Sequence, residues 1–149
     1  MNKEFKRSVF LKEIEIFGSM EHLKLNKPAN TAQKKWMTDI TDYVNEYGLG
    51  DLYGHEYEGR TNIQRHHVVG RTARHNKIHI GHWFIIPVPY ELHEPNLVHQ
   101  FHVGHSKKEF VKKFGNQRDI YEQLVTSMEN AGYDVPPMIN HYAILDTNA

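Results

Sequence analysis

An α+β fold is what the sequence predicts: a small mixed domain in which helices flank a two-stranded hairpin. Three observations carry that expectation. Residues 31–47 repeat apolar side chains at helical spacing. Residues 61–70 and 79–89 read as strands on either side of a basic loop, and residues 116–132 return to helical spacing before a glycine. At 149 residues the chain has the size of one domain with one core, spanning residues 1–149.

Taken in order, the opening segment alternates around Glu13–Ile16 and breaks at Gly18-Ser19, which fits a short hairpin or a helix. The next segment is expected to be a helix with Asn30 or Thr31 as N-cap. Trp36, Ile40, Tyr43, Val44 and Tyr47 form its apolar stripe, and Gly48 is its stop. The glycine-rich run at 48–59 reads as loop or hairpin. The strand "TNIQRHHVVG" ends at Gly70, and "HIGHWFIIPVP" is a second, largely apolar strand. Pro95 then allows at most a short turn of helix carrying His93.

Ser106-Lys107-Lys108-Glu109 has the pattern of a capping box. It opens a helix that buries Phe110, Val111 and Phe114 and ends at Gly115. A last helix from Asn116 turns Ile120, Leu124, Val125 and Met128 inward and stops at Gly132, leaving an extended or irregular tail. The organisation is therefore an N-terminal support (1–59), a central strand-and-basic-helix unit (60–115) and a C-terminal helix with its tail (116–149).

Composition excludes several function classes. With no cysteine there are no disulfides, thiolate nucleophiles or cysteine-based zinc knuckles, so any metal is held by histidine, carboxylate or amide oxygen. No stretch approaches the roughly 18 apolar residues needed to span a membrane, and the N-terminus lacks an apolar signal core. A cytoplasmic protein with no membrane partner is expected. The net charge of zero hides an asymmetry: residues 60–118 hold 10 Lys+Arg against 3 Asp+Glu, together with nine of the twelve histidines. That block is where an anionic ligand would be handled.

His66 and His67 are adjacent at the end of the first strand. Neighbouring side chains on a strand point to opposite faces. At the strand end the two can approach one site from two sides, which suits a division of labour between binding a metal and moving a proton. Neutral imidazole serves both tasks near neutral pH. A metal beside a phosphodiester supplies charge neutralisation for the phosphoryl oxygens and the departing alkoxide.

The ordered set "IQRHHVVGR", "HIGHWFIIPVPYELH" and "VGHSKKEFVKKFG" resembles the HNH nucleases of the ββα-metal (His-Me finger) group, in particular the phage recombination-enhancement branch. The likeness covers about residues 31–125. It implies a ββα-metal core at 60–115 and metal-dependent endonucleolytic cleavage of DNA, single- or double-stranded, with no organic cofactor. The implied catalytic residues are His67, the general base that activates water, and His82, which falls near the family's middle asparagine and tethers the hairpin loop. The implied metal ligands are His66, His93 as the closing histidine, and His99, with His102 competing for the same role. Mg²⁺ is the ion expected for turnover, with Zn²⁺, Mn²⁺ or Ni²⁺ bound more tightly by a histidine-rich site. The chain departs from the branch in having Pro89 where cysteine is usual and in lacking any CxxC pair.

Beside the resemblance, the basic residues have their own reading. Arg60, Arg65, Arg71, Arg74 and Lys77 surround the His-His strand, and Lys107, Lys108, Lys112 and Lys113 follow the closing histidine. Such residues would position phosphates from both sides. Two other functions fit the same composition: a non-cutting nucleic-acid-binding or structural metal protein of this fold, and a metallohydrolase acting on a small phosphate.

Overall fold

The computed structural model describes residues 28–149. The hairpin or helix expected around Glu13–Ile16 lies outside the described residues. The fold is α+β, with five α-helices, short 3₁₀ turns and two small antiparallel sheets among the described residues.

Helix α1 (Thr31–Tyr47) begins where local chemistry dictates. Asn30 accepts from the Gln33 amide at 2.8 Å, and Gln33 Oε1 accepts from the Asn30 amide at 2.9 Å, a reciprocal cap. Gly48 ends it at φ 73, a left-handed value that glycine adopts without cost. Trp36, Ile40, Tyr43 and Val44 are buried as expected, but Tyr47 is 53% exposed. It closes the end of the stripe by packing on Tyr43 at 4.8 Å between ring centres.

The glycine-rich run is neither hairpin nor plain loop. It folds into a single-turn helix α2 (Gly50–Tyr53) and a 3₁₀ turn (His55–Tyr57). Buried Leu49, Leu52, Tyr53 and Tyr57 supply the tertiary packing that overrides the low helical propensity of glycine.

Strand β1 (Ile63–His67) pairs antiparallel with β4 (Ile85–Pro89), with His66 opposite Ile86 and His67 opposite Ile85. The expected hairpin therefore forms, but its second strand starts later than residue 79. Trp83 and Phe84 donate their amides to the Ile80 carbonyl, turning residues 80–84 before the strand begins. All five residues of β4 are buried, with α1 and α4 packed against it.

Two prolines in a buried strand need an explanation. The flanking bonds Tyr90 N–H to Asn62 O and Val68 N–H to Phe84 O place the even-numbered positions of β4 in the ladder. Pro87 and Pro89 then occupy positions whose missing N–H would face away from β1. The outward carbonyl of Pro87 accepts from the Tyr53 hydroxyl.

The connection between β1 and β4 holds a small hairpin that the sequence did not announce, β2 (Arg74–His75) with β3 (Ile78–His79). Its two-residue turn puts Asn76 at φ 50 and Lys77 at φ 69, the positive values a tight hairpin turn of this type requires. The connection folds back tightly on itself. A Cβ added to Gly81 would lie 2.2 Å from the Arg71 carbonyl oxygen and 2.4 Å from that of Gly70. Because those atoms are backbone, Gly81→Ala is expected to displace the loop behind His67 and cost about 1–3 kcal/mol of stability, measured by urea denaturation.

Helix α3 (Lys107–Phe114) runs from Ser106 to Gly115 as expected, with Phe110 fully buried. The capping box does not form: the Ser106 hydroxyl donates to the His99 carbonyl at 3.5 Å instead of closing on the helix. Helix α4 (Gln117–Asn130) is capped by Asn116 and buries Ile120, Tyr121, Leu124, Val125 and Met128. The tail is not irregular. It forms helix α5 (Met138–Leu145), fastened by Asn140 to the His79 carbonyl at 2.7 Å and by Arg118 to the Thr147 carbonyl at 2.6 Å.

Candidate metal and phosphate site

Alternation along β1 separates the adjacent histidines. Gln64 and His66 face the turn that follows β4. Ile63, Arg65 and His67 face the α1 side, where His67 lines a groove with Met37, Thr38, Thr41 and Arg71. Among the described residues the sheet has two strands, and none of them pairs the other edge of β1. His66 and His67 thus flank that edge from opposite faces.

On the first face, the 3₁₀ turn Tyr90–Leu92 ends with His93 as its cap, the short turn that Pro95 permits. His93 Nε2 lies 3.1 Å from His66 Nδ1. Two imidazole nitrogens held at about 2.0–2.1 Å from one ion, at roughly a right angle, are about 3 Å apart. The outer atoms fit the same use. His93 Nδ1 is hydrogen-bonded to Gln64 Oε1, and Gln64 Nε2 donates to Glu94 at 2.8 Å. An amide oxygen can only accept, so His93 carries its proton on Nδ1 and presents a lone pair at Nε2.

His66 has a corresponding partner in Gln117, the first residue of α4. The Gln117 side chain is buried, and its oxygen closes no hydrogen bond of ordinary geometry, yet it lies near enough to His66 to favour the protonated ring. With Nδ1 turned to His93, His66 Nε2 is the nitrogen available to it. A cation between the two rings would require lone pairs on both facing nitrogens and would move the His66 proton to Nε2. Gln117 Oε1, buried and without a hydrogen-bond partner among the described residues, would be the acceptor for that proton. The residues therefore fit a divalent ion with two imidazole ligands, His93 fixed by the Gln64 amide and His66 beside the Gln117 amide. Sequence reasoning missed both glutamines, because only the fold brings the start of α4 to the end of β1.

A third ligand is not brought to this pair. Among the described residues no group of three or more His, Cys, Asp or Glu side chains is arranged to hold a metal. His99 spends Nδ1 on the Phe101 amide at 3.0 Å and packs on the Phe101 ring. His102 is buried with both nitrogens committed: Nδ1 accepts from the Gly104 and His105 amides, and Nε2 donates to the Glu94 carbonyl at 3.0 Å. It pins the loop that follows His93 and has no lone pair to offer a metal.

On the other face, His67 Nε2 is buried without a hydrogen-bond partner among the described residues, which leaves Nδ1 as the nitrogen for a water in the groove that His67 lines. His82, itself buried, packs edge to face on His67 at 5.5 Å and receives support from His79, whose Nε2 accepts the His82 amide at 3.1 Å. His82 therefore stands behind His67 at the base of the connecting loop.

Burial holds His66, His67 and His79 down to about 4, with further lowering by His93 at His66, by Arg71 at His67 and by His82 at His79. Burial lowers His93 too. All are neutral at pH 7, the state needed both to bind a metal and to accept a proton. The unfolded chain protonates these rings near 6.5 and the folded chain only near 4, so unfolding takes up protons between those values. Stability is expected to be full above pH 6.5 and to fall as pH drops toward 4. The slope should stay below about 1.4 kcal/mol per pH unit for each ring, because the rings are only partly shielded from solvent. Urea unfolding at a series of pH values checks this, and equal stability at pH 7.5 and 4.5 would contradict it.

The basic residues divide into two sets. Arg60 is committed to Glu91 at 2.6 Å and lies over the Tyr57 ring. Arg74 donates to the Lys77 carbonyl at 3.2 Å, bracing the β2–β3 turn where Lys77 sits. Lys113 approaches Glu56 at 3.9 Å. Arg65 and Arg71 are exposed beside His67, and neither makes an ion pair with a described residue. Lys107, Lys108 and Lys112 are exposed on α3, and the charge of Lys107 is felt at His66. Among the described residues no helix is long and apolar enough to cross a membrane. No protein-family profile, curated protein or solved structure matches the chain.

Proposed function

We propose that the protein is a divalent-metal-dependent endonuclease that hydrolyses phosphodiester bonds of DNA, with a core of the ββα-metal kind. One observation carries the reading: two adjacent residues of β1 are split across the edge that no described strand pairs, His66 at 3.1 Å from His93 on one face and His67 on the other beside Arg65 and Arg71, which make no ion pair among the described residues. A phosphodiester on that edge would meet a cation site and a neutral base from opposite sides.

In this reading His67 Nδ1 takes a proton from a water in the groove as the water oxygen attacks phosphorus. The bond from phosphorus to the 3′-oxygen breaks, the departing oxygen takes a proton from solvent, and the products carry 5′-phosphate and 3′-hydroxyl ends. Arg65 and Arg71 hold the phosphate and offset its charge. Phosphate binding would also relieve the cationic repulsion that lowers the basicity of His67. A divalent ion held by His66 and His93, Mg²⁺ for turnover, would supply stabilisation of the phosphoryl and leaving oxygens. Gln64 keeps the His93 proton on Nδ1, Gln117 would take the His66 proton on Nε2 when the ion binds, and exposed Lys107, Lys108 and Lys112 add non-specific attraction for the DNA backbone.

The test is nicking of supercoiled plasmid in Mg²⁺ or Mn²⁺, with EDTA and His67→Ala as controls. Equal nicking by wild type and His67→Ala would overturn the assignment. The pairing of only two ligands supports a second reading, a protein of this fold that binds DNA without cutting it. Plasmid retention without nicking in any divalent metal would favour that one.

A further inference from the structure

The groove on the α1 side of β1 is larger than a single water or phosphate requires. It encloses about 550 Å³, within the roughly 300–1,000 Å³ of small-ligand sites. Its lining is chemically mixed: the basic Arg65 and Arg71 with His67, the polar Thr38, Thr41, Asp42 and Gln64, and the apolar Met37 and Ile63.

We infer that this groove is the binding site for the nucleoside 5′-phosphate end of the cleaved strand. The inference rests on the hydrolytic reading of His67 and adds which side of the scissile bond the groove holds. In an in-line displacement the attacking water and the leaving 3′-oxygen lie on opposite sides of phosphorus. Water is activated on the groove face, and the cation pair occupies the other face. The nucleotide that departs with the 3′-hydroxyl therefore leads toward His66 and His93. The nucleotide that keeps the phosphate hangs from an oxygen in the plane between the two, and Arg65 and Arg71, which line the groove with His67, draw its phosphate to the groove face.

The walls fit that occupant. Two guanidinium groups without an ion pair among the described residues match one phosphate bearing two charges. Asp42 would repel further phosphoryl groups joined directly to the first and can accept from a base amino group or a sugar hydroxyl. Thr38 and Thr41 can donate or accept, and Met37 is a soft surface for a base face. A diphosphate or triphosphate would meet Asp42 with like charge, so the groove selects a 5′-monophosphate that carries hydrogen-bond donors.

The experiment uses the full chain without metal, titrated with a deoxynucleoside 5′-monophosphate, the matching 3′-monophosphate and inorganic phosphate. Binding is followed by amide ¹H–¹⁵N shifts. The 5′-monophosphate is expected to shift Thr38, Thr41, Arg65 and Arg71 and to bind at least about fivefold more tightly than either competitor, the worth of about one added hydrogen bond. Arg71→Ala should weaken all phosphates, whereas Thr41→Val should weaken the nucleotide and leave inorganic phosphate unchanged. Both side chains face solvent or the groove, and the spectrum of each variant reports folding directly. A 5′-phosphorylated oligonucleotide binding more tightly than the mononucleotide supports a strand end as the occupant, whereas preference for the free mononucleotide would overturn it.

Equal affinity for inorganic phosphate and the 5′-monophosphate, or shifts confined to α3, would overturn the inference. If plasmid nicking persists in that case, the hydrolytic reading stands and only the groove assignment falls. If the 5′-monophosphate binds in the groove but no metal supports nicking, the hydrolytic reading falls, and with it the assignment of the groove to a cleaved strand.

Discussion

His67→Ala is expected to give a folded protein that still binds divalent metal and DNA but nicks plasmid at least about 10²-fold more slowly, the usual contribution of a positioned general base. The expectation follows from where the ring sits. Its Nε2 is buried against the loop and Nδ1 is left for a water in the groove, so removal takes away one proton acceptor and leaves the His66–His93 pair untouched on the other face of β1. The fold should tolerate the change, since the ring is only partly buried and packs against His82 rather than the main core. His67→Gln controls for lost packing: it fills much of the same space but takes no proton at neutral pH. Recovery of nicking by His67→Gln would assign His67 a packing role and sink the catalytic one.

His93→Ala should abolish tight metal binding, because it removes one of the two ring nitrogens that face each other at 3.1 Å. Calorimetric titration with Mn²⁺ or Zn²⁺ measures it directly, without reference to activity. The outer residues provide a finer test. Gln64→Leu and Gln117→Leu leave both imidazoles in place but remove the acceptor that holds the His93 proton on Nδ1 and the one that would receive the His66 proton on Nε2, and each is expected to weaken binding about 10–100-fold. Gln117→Leu has a further signature. With the ion added, the His66 proton is expected on Nε2 in the wild type and retained on Nδ1 in Gln117→Leu, which ¹⁵N shifts of the imidazole report. A purely structural role for Gln117 would change stability and leave the tautomer alone. Unchanged metal affinity in His93→Ala would remove the cation site from the proposal.

Much of the architecture was readable because it depends on neighbours in the chain. Asn30 with Gln33 and then Gly48 bound α1, and Asn116 opens α4, through hydrogen bonds spanning only two to four residues. Periodicity identified Trp36, Ile40 and Val44 on α1 and Leu124 and Met128 on α4 as core. The hairpin that carries His66 and His67 was legible from its composition, although residues 80–84 turn before the second strand starts. An apolar run reports burial and does not say whether the buried backbone is extended.

The misses share one cause. Helix α5 was invisible because "MINHYAIL" has no polar face and follows two prolines, and its helicity depends on contacts to His79 and on the C-terminal residues held by Arg118. The capping box at Ser106 was misleading because a more distant acceptor, the His99 carbonyl, takes the hydroxyl.

The same division holds at the candidate site. By itself the sequence determined the density of histidines, the adjacency of His66 and His67 and, through strand alternation, that the two must point to opposite faces. Only the tertiary structure decided which histidine meets which partner. It set His93 against His66, placed His82 behind His67, spent His102 on backbone amides and brought Gln64 and Gln117 to the outer nitrogens. Lone-pair direction depends on what occupies the other ring nitrogen, and that occupant comes from anywhere in the chain.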